Sequence, residues 1–274
     1  MDAEHILYFI LYIIIYSFLG WVLESVLKTI EQRKFVNSGF LNGPLCPIYG
    51  FGAIIMILCL GFLKDNIILL FIAAFFLLSL WEYIVGFALE KIFKTKYWDY
   101  SHLKFNIHGR VCLKNSIFWG ILGLTFIKWV HPFIEGIILL IPINILLYIG
   151  IIICIAILVD TIVSIIQITN IEIAIAKLNE LGELTKNKVD ELKGLKDRAK
   201  VKTEEFEKSN IENIEKLIKE LKITQTKLKI RIYHQANRLK KAFPSMKSES
   251  ITQFLNQKID LKSLKEKIKE KNKE

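Results

Sequence analysis

Long uninterrupted runs of apolar residues dominate the first 168 positions of the chain. A helix needs about 20 mostly apolar residues to cross the roughly 30 Å hydrocarbon core of a bilayer. Five runs satisfy or approach this length: Ile6–Leu27, Ile48–Leu63, Ile67–Leu89, Leu113–Val130 and Ile137–Ile168. Pro142 interrupts the last run, so we expect a kink or an interfacial start there. The first run has no basic stretch before it and no small-residue cleavage site after it, so we interpret it as a retained span. The pattern predicts an all-α membrane domain with five transmembrane helices over residues 1–168.

The basic residues between these runs indicate an orientation. No Lys or Arg precedes Ile6; the four connections, counted together with Lys114 and Lys128 at the two ends of the fourth run, contain three, one, six and one, and 26 follow Gln167. Because cytoplasmic loops carry an excess of Lys and Arg, this alternation predicts an N-terminus outside and a C-terminal tail in the cytoplasm. The two connections on the inner side are about twenty residues long and hold many of the Gly, Pro and aromatic residues. We expect them to be ordered and to pack against the bundle.

After Asn170 the pattern changes to heptad-like spacing in a charged background. Apolar residues recur with spacings of three, four and seven at Leu178, Leu181, Leu192, Leu195, Ala199, Ile214, Leu217, Leu221 and Leu228. This spacing predicts coiled-coil-like amphipathic helices over residues 169–243. The pattern weakens near Val201–Asn210, so an antiparallel helical hairpin and one long rod both remain possible. Residues 244–274 are predicted to form a short helix and a disordered, lysine-rich end.

Composition supports this division. A mean hydropathy of +0.39 in a chain with 37 basic and 27 acidic residues excludes a single soluble globular domain. Up to Gln167 the chain has 11 basic and 10 acidic residues, and after it 26 and 17. A solvated helix surface is one interpretation of the basic tail. The alternative is that the tail contacts anionic lipid or an acidic partner. Nucleic acid is not an expected partner, because no recognition motif accompanies the charge.

Cysteine and histidine residues give no sign of a metal or a cofactor. The four cysteines lie far apart, without the paired spacing of a zinc site or a disulfide framework, and the five histidines are equally scattered. We therefore expect no metal site and no cofactor. The chain also lacks a recognised catalytic constellation, which argues against an enzyme.

Four acidic residues fall within the apolar runs or at their ends, where an ionisable group is costly and calls for a partner or a function. They are Glu24, Glu82, Glu90 and Asp160. Arg110 is the best-placed guanidinium, and we expect it to pair with Glu24 or Glu82. Two interpretations remain open, namely a cytoplasm-facing polar cavity that binds a ligand, and an internal salt-bridge network that fixes helix packing.

Under the cavity interpretation, the candidate ligand-binding residues combine these acids with polar and aromatic residues of the inner loops. They are Glu24, Asn42, Tyr49, Glu82, Trp98, Asp99, Asn106 and Arg110.

The order of short motifs in the first 165 residues is specific. These motifs are Gly20-Trp21 with Glu24, residues 39–52 (GFLNGPLCPIYGFG), Trp81-Glu82-Tyr83, Trp98-Asp99-Tyr100-Ser101, Phe105-Asn106, Gly109-Arg110, Cys112-Leu113, Trp119-Gly120 and His131-Pro132. The string resembles the ABC-transporter type IV family of bacterial integral membrane proteins, also called the CmpB family. Residues 238–248 also resemble a tail motif of some members. The resemblance implies a multi-pass, permease-like subunit of a bacterial cell membrane. A separate ATPase subunit would then be needed, since this sequence has no phosphate-binding G-x-x-x-x-G-K-[ST] loop.

Three functions therefore remain open. The leading one is a transporter or permease-like subunit with a polar cavity that faces the cytoplasm. The second is an intramembrane enzyme that handles a lipid or a lipid-linked precursor, with Glu82 or Asp99 as acid or base and Arg110 holding phosphate. The third is a membrane scaffold whose coiled coil recruits a cytosolic partner or forms a homo-oligomer.

Overall fold

A computed structural model describes residues 3–199, 205–257 and 264 of the chain. The fold is nearly all-α. Its elements are α1 (Ala3–Gln32), α2 (Pro47–Leu60) with a 3₁₀ turn (Gly61–Leu63), α3 (Ile67–Phe93), β1 (Asn106–Ile107), β2 (Val111–Cys112), α4 (Leu113–Thr125), a π-helical turn (Phe126–Val130), α5 (His131–Leu139), α6 (Ile143–Ala199), α7 (Glu205–Ala242) and α8 (Glu249–Asn256). Two compact units result. The first comprises residues 1–166 and 239–248, and the second comprises residues 167–238 and 249–274.

Four helical runs in the described part of the chain are long and apolar enough to cross a membrane. They are Glu4–Gln32, Ile67–Phe93, Leu113–Leu139 and Ile143–Asp197. The second predicted span coincides with a shorter apolar helix, Pro47–Leu63. The all-α membrane architecture is thus confirmed, with four long spanning candidates and one short apolar helix.

The predicted boundary between the fourth and fifth spans is wrong. The fourth helical run continues through the π-helical turn to Leu139, and the next helix begins at Ile143. Pro142 lies in the turn between them, where its carbonyl accepts the backbone N–H groups of Ile145 and Leu146. Proline fits a helix start because the N–H it lacks has no intrahelical acceptor there. Pro142 therefore separates two helices and does not kink one.

Small residues bring the helices of the first unit close together. A Cβ atom added at Gly123 of α4 would lie 2.5 Å from the Cβ of Ala74 on α3. A Cβ atom at Gly120 would lie 2.6 Å from the ring of Phe71. Such close backbone approach is a common way for helices to pack in membranes, where van der Waals contact replaces the hydrophobic driving force.

The loop of residues 33–46 runs back along α1. The backbone N–H of Val36 donates to Thr29 Oγ1 at 3.1 Å, and the N–H of Cys46 donates to the carbonyl of Ser17 at 2.9 Å. As a result, α2 begins beside the middle of α1. These bonds satisfy polar backbone groups that would otherwise be costly beside an apolar helix.

A second loop, residues 94–112, lies at the same end of the first unit as the loop of residues 33–46. It ends in a short antiparallel hairpin in which Ile107 of β1 pairs with Val111 of β2. Phe40 of the first loop contacts Tyr97 of the second, with ring centroids 5.7 Å apart. We call this end of the unit, which carries both loops, the loop end.

The second unit contains an antiparallel pairing of α6 and α7. Gln225 Nε2 donates to the Leu181 carbonyl at 2.6 Å and to Thr185 Oγ1 at 2.7 Å. Nearer the helix ends, Lys196 pairs with Glu215. Of the two arrangements left open by the sequence, the structure has the hairpin. The five residues 200–204 between the helices lie outside the described residues.

One position of the apolar seam of α7 differs from the predicted seam. Ile218 is 6% exposed, whereas Leu217, which the heptad pattern placed in the seam, is 39% exposed. Gln225 lies seven residues after Ile218 and faces α6, where it donates to Leu181 and Thr185, so the helix contact includes a polar residue that the apolar pattern did not include. Except for Leu264, the predicted disordered end lies outside the described residues.

Candidate functional site

A cavity of about 480 Å³ lies at the loop end of the first unit. Its walls come from α1–α4, the second loop and the segment Phe243–Ser245. Acidic residues in the lining are Glu24, Glu31 and Glu82, and aromatic residues are Tyr49, Tyr97, Trp98, Tyr100, Trp119 and Phe243. Four of the eight predicted ligand-binding residues are thus brought together here: Glu24, Tyr49, Glu82 and Trp98.

Glu82 is the most deeply buried acid of the cavity, with 4% of its surface exposed. Trp119 Nε1 donates to its Oε2 at 2.9 Å, and the Tyr100 hydroxyl donates to its Oε1 at 3.3 Å. Asn115 is a third hydrogen-bond partner. All three partners are neutral, and among the described residues no basic side chain lies within ion-pair distance of Glu82.

Tyr100 is suited to its role as a donor. Burial raises the pKa of its phenol, and the charges of Glu82 and Glu24 raise it further. The hydroxyl therefore keeps its proton at neutral pH and donates to the Glu82 carboxylate.

Glu24, unlike Glu82, has a cationic partner. Lys28, one helical turn further along α1, pairs with its Oε2 at 2.7 Å, and the Tyr49 hydroxyl donates to its Oε1 at 2.7 Å. Lys28 also donates to Ser38 Oγ at 2.9 Å and lies 5.2 Å from the ring centre of Phe243. Glu24 and Lys28 therefore contribute no net charge to the cavity.

Two glycines leave room for the aromatic side chains that form the cavity wall. A Cβ atom at Gly20 of α1 would overlap the ring of Tyr49, and one at Gly86 of α3 would lie 3.1 Å from the ring of Trp98. Tyr49 in turn packs against Trp119, with ring centroids 5.7 Å apart and planes inclined by 58°. The glycines of α1 and α3 thus create the space that the aromatic rings fill.

A smaller recess of about 30 Å³ adjoins Glu82. Met56, Leu78, Trp81 and Leu122 line it together with residues of the main cavity. Glu82 therefore lies between the main cavity and a small apolar recess.

Arg110 does not pair with Glu24 or Glu82, as the sequence suggested. It donates from Nε at 3.1 Å and from Nη2 at 2.8 Å to Glu90, and its guanidinium lies 5.3 Å from the ring centres of Tyr83 and Phe87. The hairpin of β1 and β2 places Arg110 beside the end of α3, where Glu90 is the nearer acid. Arg110 is not among the residues that line the cavity.

Asp99 belongs to the second loop, and its side chain is buried, with 4% exposed. Its Oδ1 accepts from Lys96 Nζ at 2.9 Å and from Ser101 Oγ at 2.6 Å, and its Oδ2 pairs with Lys247. Burial alone would raise the pKa of Asp99, but the hydrogen bonds from Lys247, Ser101 and Lys96 outweigh it and hold the pKa well below its usual range. Asp99 is a charged anchor of the loop, outside the cavity lining.

The remaining two candidates stabilise loops. Asn42 donates from Nδ2 to Asp160 Oδ1 at 3.1 Å, and Asp160 Oδ2 also accepts the backbone N–H of Gly43 at 2.7 Å. Asn106 accepts the N–H of Gly109 at 3.0 Å and donates to the Leu103 carbonyl at 2.7 Å. Neither asparagine is among the cavity-lining residues.

A segment distant in sequence completes the cavity wall. Residues 239–248, which we call the returning segment, belong to the first unit. Lys247 forms an antiparallel bridge with Lys96 through two backbone hydrogen bonds of 3.0 and 2.8 Å, and Phe243 packs on Tyr97 at 5.0 Å. The domain boundary drawn from the sequence divided this segment at residue 243.

Sequence reasoning missed several cavity residues, of which Trp119, Tyr100 and Lys28 are the most important. Trp119 and Tyr100 stand in the motif string, so the signal was present, but nothing in the string showed that both face Glu82. Lys28 is four residues after Glu24, a spacing that brings opposite charges together on a helix.

A comparison with protein families identifies the first unit. The family model described as Putative ABC-transporter type IV matches residues 11–165, which is more than half of the chain. The chain belongs to this family. The type IV match includes most of α1, all of α2–α5, both loops and all cavity residues except those of the returning segment. Searches of curated proteins and of solved structures gave no match.

Proposed function

We propose that this protein is the permease-like subunit of a membrane transporter and that its cavity binds a polar ligand from the cytoplasm. The observation that carries the proposal is the cavity of about 480 Å³ among the apolar helices, which contains a buried carboxylate and an aromatic lining. Ligand sites occur preferentially in such spaces between helices, at volumes of about 300–1,000 Å³. Membership of the type IV family supports the transport role.

We also propose five membrane spans with the loop end in the cytoplasm. The α2 helix and the following 3₁₀ turn have 14 and 3 residues, a length of about 25 Å that approaches the hydrocarbon thickness. With α2 as a span, the basic loops and the basic hairpin of α6 and α7 fall on the cytoplasmic side, as the distribution of Lys and Arg requires.

Labelling of single cysteines tests this orientation. In a background with the four native cysteines replaced, Leu103→Cys places a thiol at the cavity, and Asp65→Cys places one at the exposed turn between α2 and α3. A membrane-impermeant maleimide should label Leu103→Cys only in inverted vesicles and Asp65→Cys only in right-side-out vesicles. Phe35→Cys, at an exposed position of the first loop, should be labelled from the same side as Leu103→Cys, because α2 separates it from Asp65; labelling of Phe35→Cys from the side of Asp65→Cys would contradict α2 as a span.

Co-purification tests the transport role. Because the sequence has no phosphate-binding loop of its own, energy coupling to ATP requires a separate ATPase subunit. We expect mass spectrometry of the protein purified in nanodiscs to find such a subunit in stoichiometric amount. A specific lipid without a protein partner would instead favour a lipid-handling enzyme, and a partner lost on deletion of residues 167–238 would favour a scaffold.

The geometry supports the enzyme alternative less well than the permease. That alternative assigned Arg110 to a phosphate group, but Arg110 pairs with Glu90 outside the cavity. Cys46, a nucleophile by residue type that does line the cavity, is held in its thiol form. Burial raises its pKa to about 12, with a further rise from Glu24 opposed by Lys28.

A further inference from the structure

We infer that the cavity binds an organic ammonium ion, with the positive charge held at the carboxylate of Glu82 and the alkyl groups against the aromatic walls. The inference names the ligand class of the cavity and so rests on the proposed function. Three properties of the cavity carry it, namely its charge, the chemistry of its walls and its size.

Charge is the first property. Among the described residues, Glu24 is neutralised by Lys28 at 2.7 Å, whereas Glu82 has only neutral hydrogen-bond donors. A buried carboxylate with no counter-ion is costly, even when it accepts hydrogen bonds. A cationic ligand at Glu82 would supply the missing charge. The basic lining residues Lys114 and His102 are exposed, and among the described residues neither forms an ion pair with Glu82.

The walls indicate which kind of cation fits. The rings of Trp119 and Tyr49 meet at an angle of 58° with their centroids 5.7 Å apart, and Tyr100 contacts Glu82 through its hydroxyl. Aromatic faces beside a carboxylate are the recurring recognition mode for quaternary and alkylated ammonium groups. A metal ion fits poorly, because Mg²⁺ and Ca²⁺ require about six to eight oxygen ligands. Within the described residues, no group of three or more His, Cys, Asp or Glu could hold a metal ion.

Size is consistent with a small organic cation. The main space of about 480 Å³ accommodates the body of the ligand. The apolar recess of about 30 Å³ beside Glu82 has room for one small group, such as a methyl substituent on the nitrogen. An ammonium head with alkyl substituents therefore satisfies the carboxylate, the rings and the recess together.

Isothermal titration calorimetry on the full-length protein in nanodiscs tests this inference with a matched pair of probes. Choline carries a quaternary nitrogen, and 3,3-dimethyl-1-butanol has the same shape with carbon in its place. We expect saturable binding of choline or tetramethylammonium and at least about tenfold weaker binding of the neutral alcohol. No binding of choline, tetramethylammonium or methylammonium up to about 10 mM, or equal binding of the alcohol, would overturn the inference.

Two variants assign the site. Glu82→Gln retains an oxygen that accepts from Trp119 but loses the charge, so choline affinity should fall by about tenfold or more. Glu90→Gln is the matched control on the same helix, eight residues away and paired with Arg110, and it should bind choline as the wild type does. Unchanged affinity in Glu82→Gln, with a wild-type unfolding temperature, would refute the assignment to Glu82 and favour a protonated carboxylate there.

Failure of this inference is distinguishable from failure of the proposed function. An ATPase subunit that co-purifies with a protein unable to bind ammonium probes would exclude the ligand class and leave the permease role intact. Ammonium binding that depends on Glu82, without an ATPase subunit, would leave the cation site intact and exclude the role as a permease-like subunit.

Discussion

Replacement of Asp99 by asparagine should loosen the returning segment without detaching it. The carboxylate of Asp99 is buried and pairs with Lys247, whose side chain is 68% exposed. The substituted amide could still accept from Ser101 and Lys96 through its one oxygen, but its NH₂ group would face the ammonium of Lys247. The two backbone hydrogen bonds between Lys96 and Lys247 would remain. The perturbation therefore removes the ion pairs of Asp99 with Lys96 and Lys247, of which only the second holds the returning segment directly, and leaves the strand-like bridge in place.

The exposure of Lys247 determines how much free energy the loss of its ion pair with Asp99 costs. An exposed ion pair contributes about 0.2–1 kcal/mol, whereas loss of one partner from a fully buried pair costs about 3–5 kcal/mol. Because one member is buried and the other is mostly in solvent, we expect a cost near the lower range, about 1.4 kcal/mol. This corresponds to roughly a tenfold increase in the fraction of molecules with the segment open.

Hydrogen exchange followed by mass spectrometry measures this opening directly. Amides of residues 96–100 and 243–248 should exchange about tenfold faster in Asp99→Asn, because exchange of protected amides reports local opening. Asp65→Asn, at the exposed turn between α2 and α3, is the matched control and should not alter these peptides. The double variant Asp99→Asn/Lys247→Ala should be no worse than the stronger single variant, since both remove the same interaction. Exchange within twofold of wild type, or additive effects in the double variant, would refute the reasoning.

Three further predictions concern pH, helix packing and the arginine. The pKa of Asp99 is lowered in the folded protein, so its ion pair stabilises the returning segment at every pH above the usual Asp pKa of about 3.9. Hydrogen-exchange protection of the segment, corrected for intrinsic rates, should therefore be constant from about pH 8 to 5 and fall only below about pH 4. Gly123→Ala should destabilise the protein by about 1–3 kcal/mol in thermal unfolding, whereas Gly136→Ala, whose Cβ would meet nothing within 4 Å, should be neutral or stabilising; equal effects would contradict the proposed close packing. Arg110→Lys should cost about 0.5–1.5 kcal/mol, because lysine loses one of the two hydrogen bonds that Arg110 donates to Glu90, yet choline affinity should be unchanged. Loss of choline binding in that variant would return Arg110 to the ligand site.

Sequence alone predicts most of the helices and part of the site. The length of the apolar runs identifies the candidate spans. Burial of a carboxylate in such a run is costly, and this cost indicates that Glu82 has a partner or a function. The partner of Arg110 was not predictable, because helical periodicity does not reveal where an irregular loop folds. Whether Arg110 pairs with Glu24, Glu82 or Glu90 depends on how the second loop folds before it ends in the hairpin of β1 and β2.

The returning segment and the coil seam show two further limits. The bridge between Lys96 and Lys247 joins positions far apart in sequence, and no local pattern encodes such a contact. In α7 both Leu217 and Ile218 are apolar and neighbouring, and Leu217 has the heptad spacing to Ile214 and Leu221, yet Ile218 is the buried one. Gln225, a polar residue, also contacts α6. A polar seam residue of this kind can fix the register of a helix pair.

The loop before α2 also imposes an order on biogenesis. Asp160 accepts the backbone N–H groups of Asn42 and Gly43, yet it follows Asn42 by 118 residues. At about 5–20 residues per second, a ribosome needs roughly 6–24 s to supply that acceptor. During this interval, the loop that precedes α2 lacks its final anchor. Asp160 of α6 therefore fixes an early part of the chain, and the first unit reaches its mature form only after α6 and the returning segment have been synthesised.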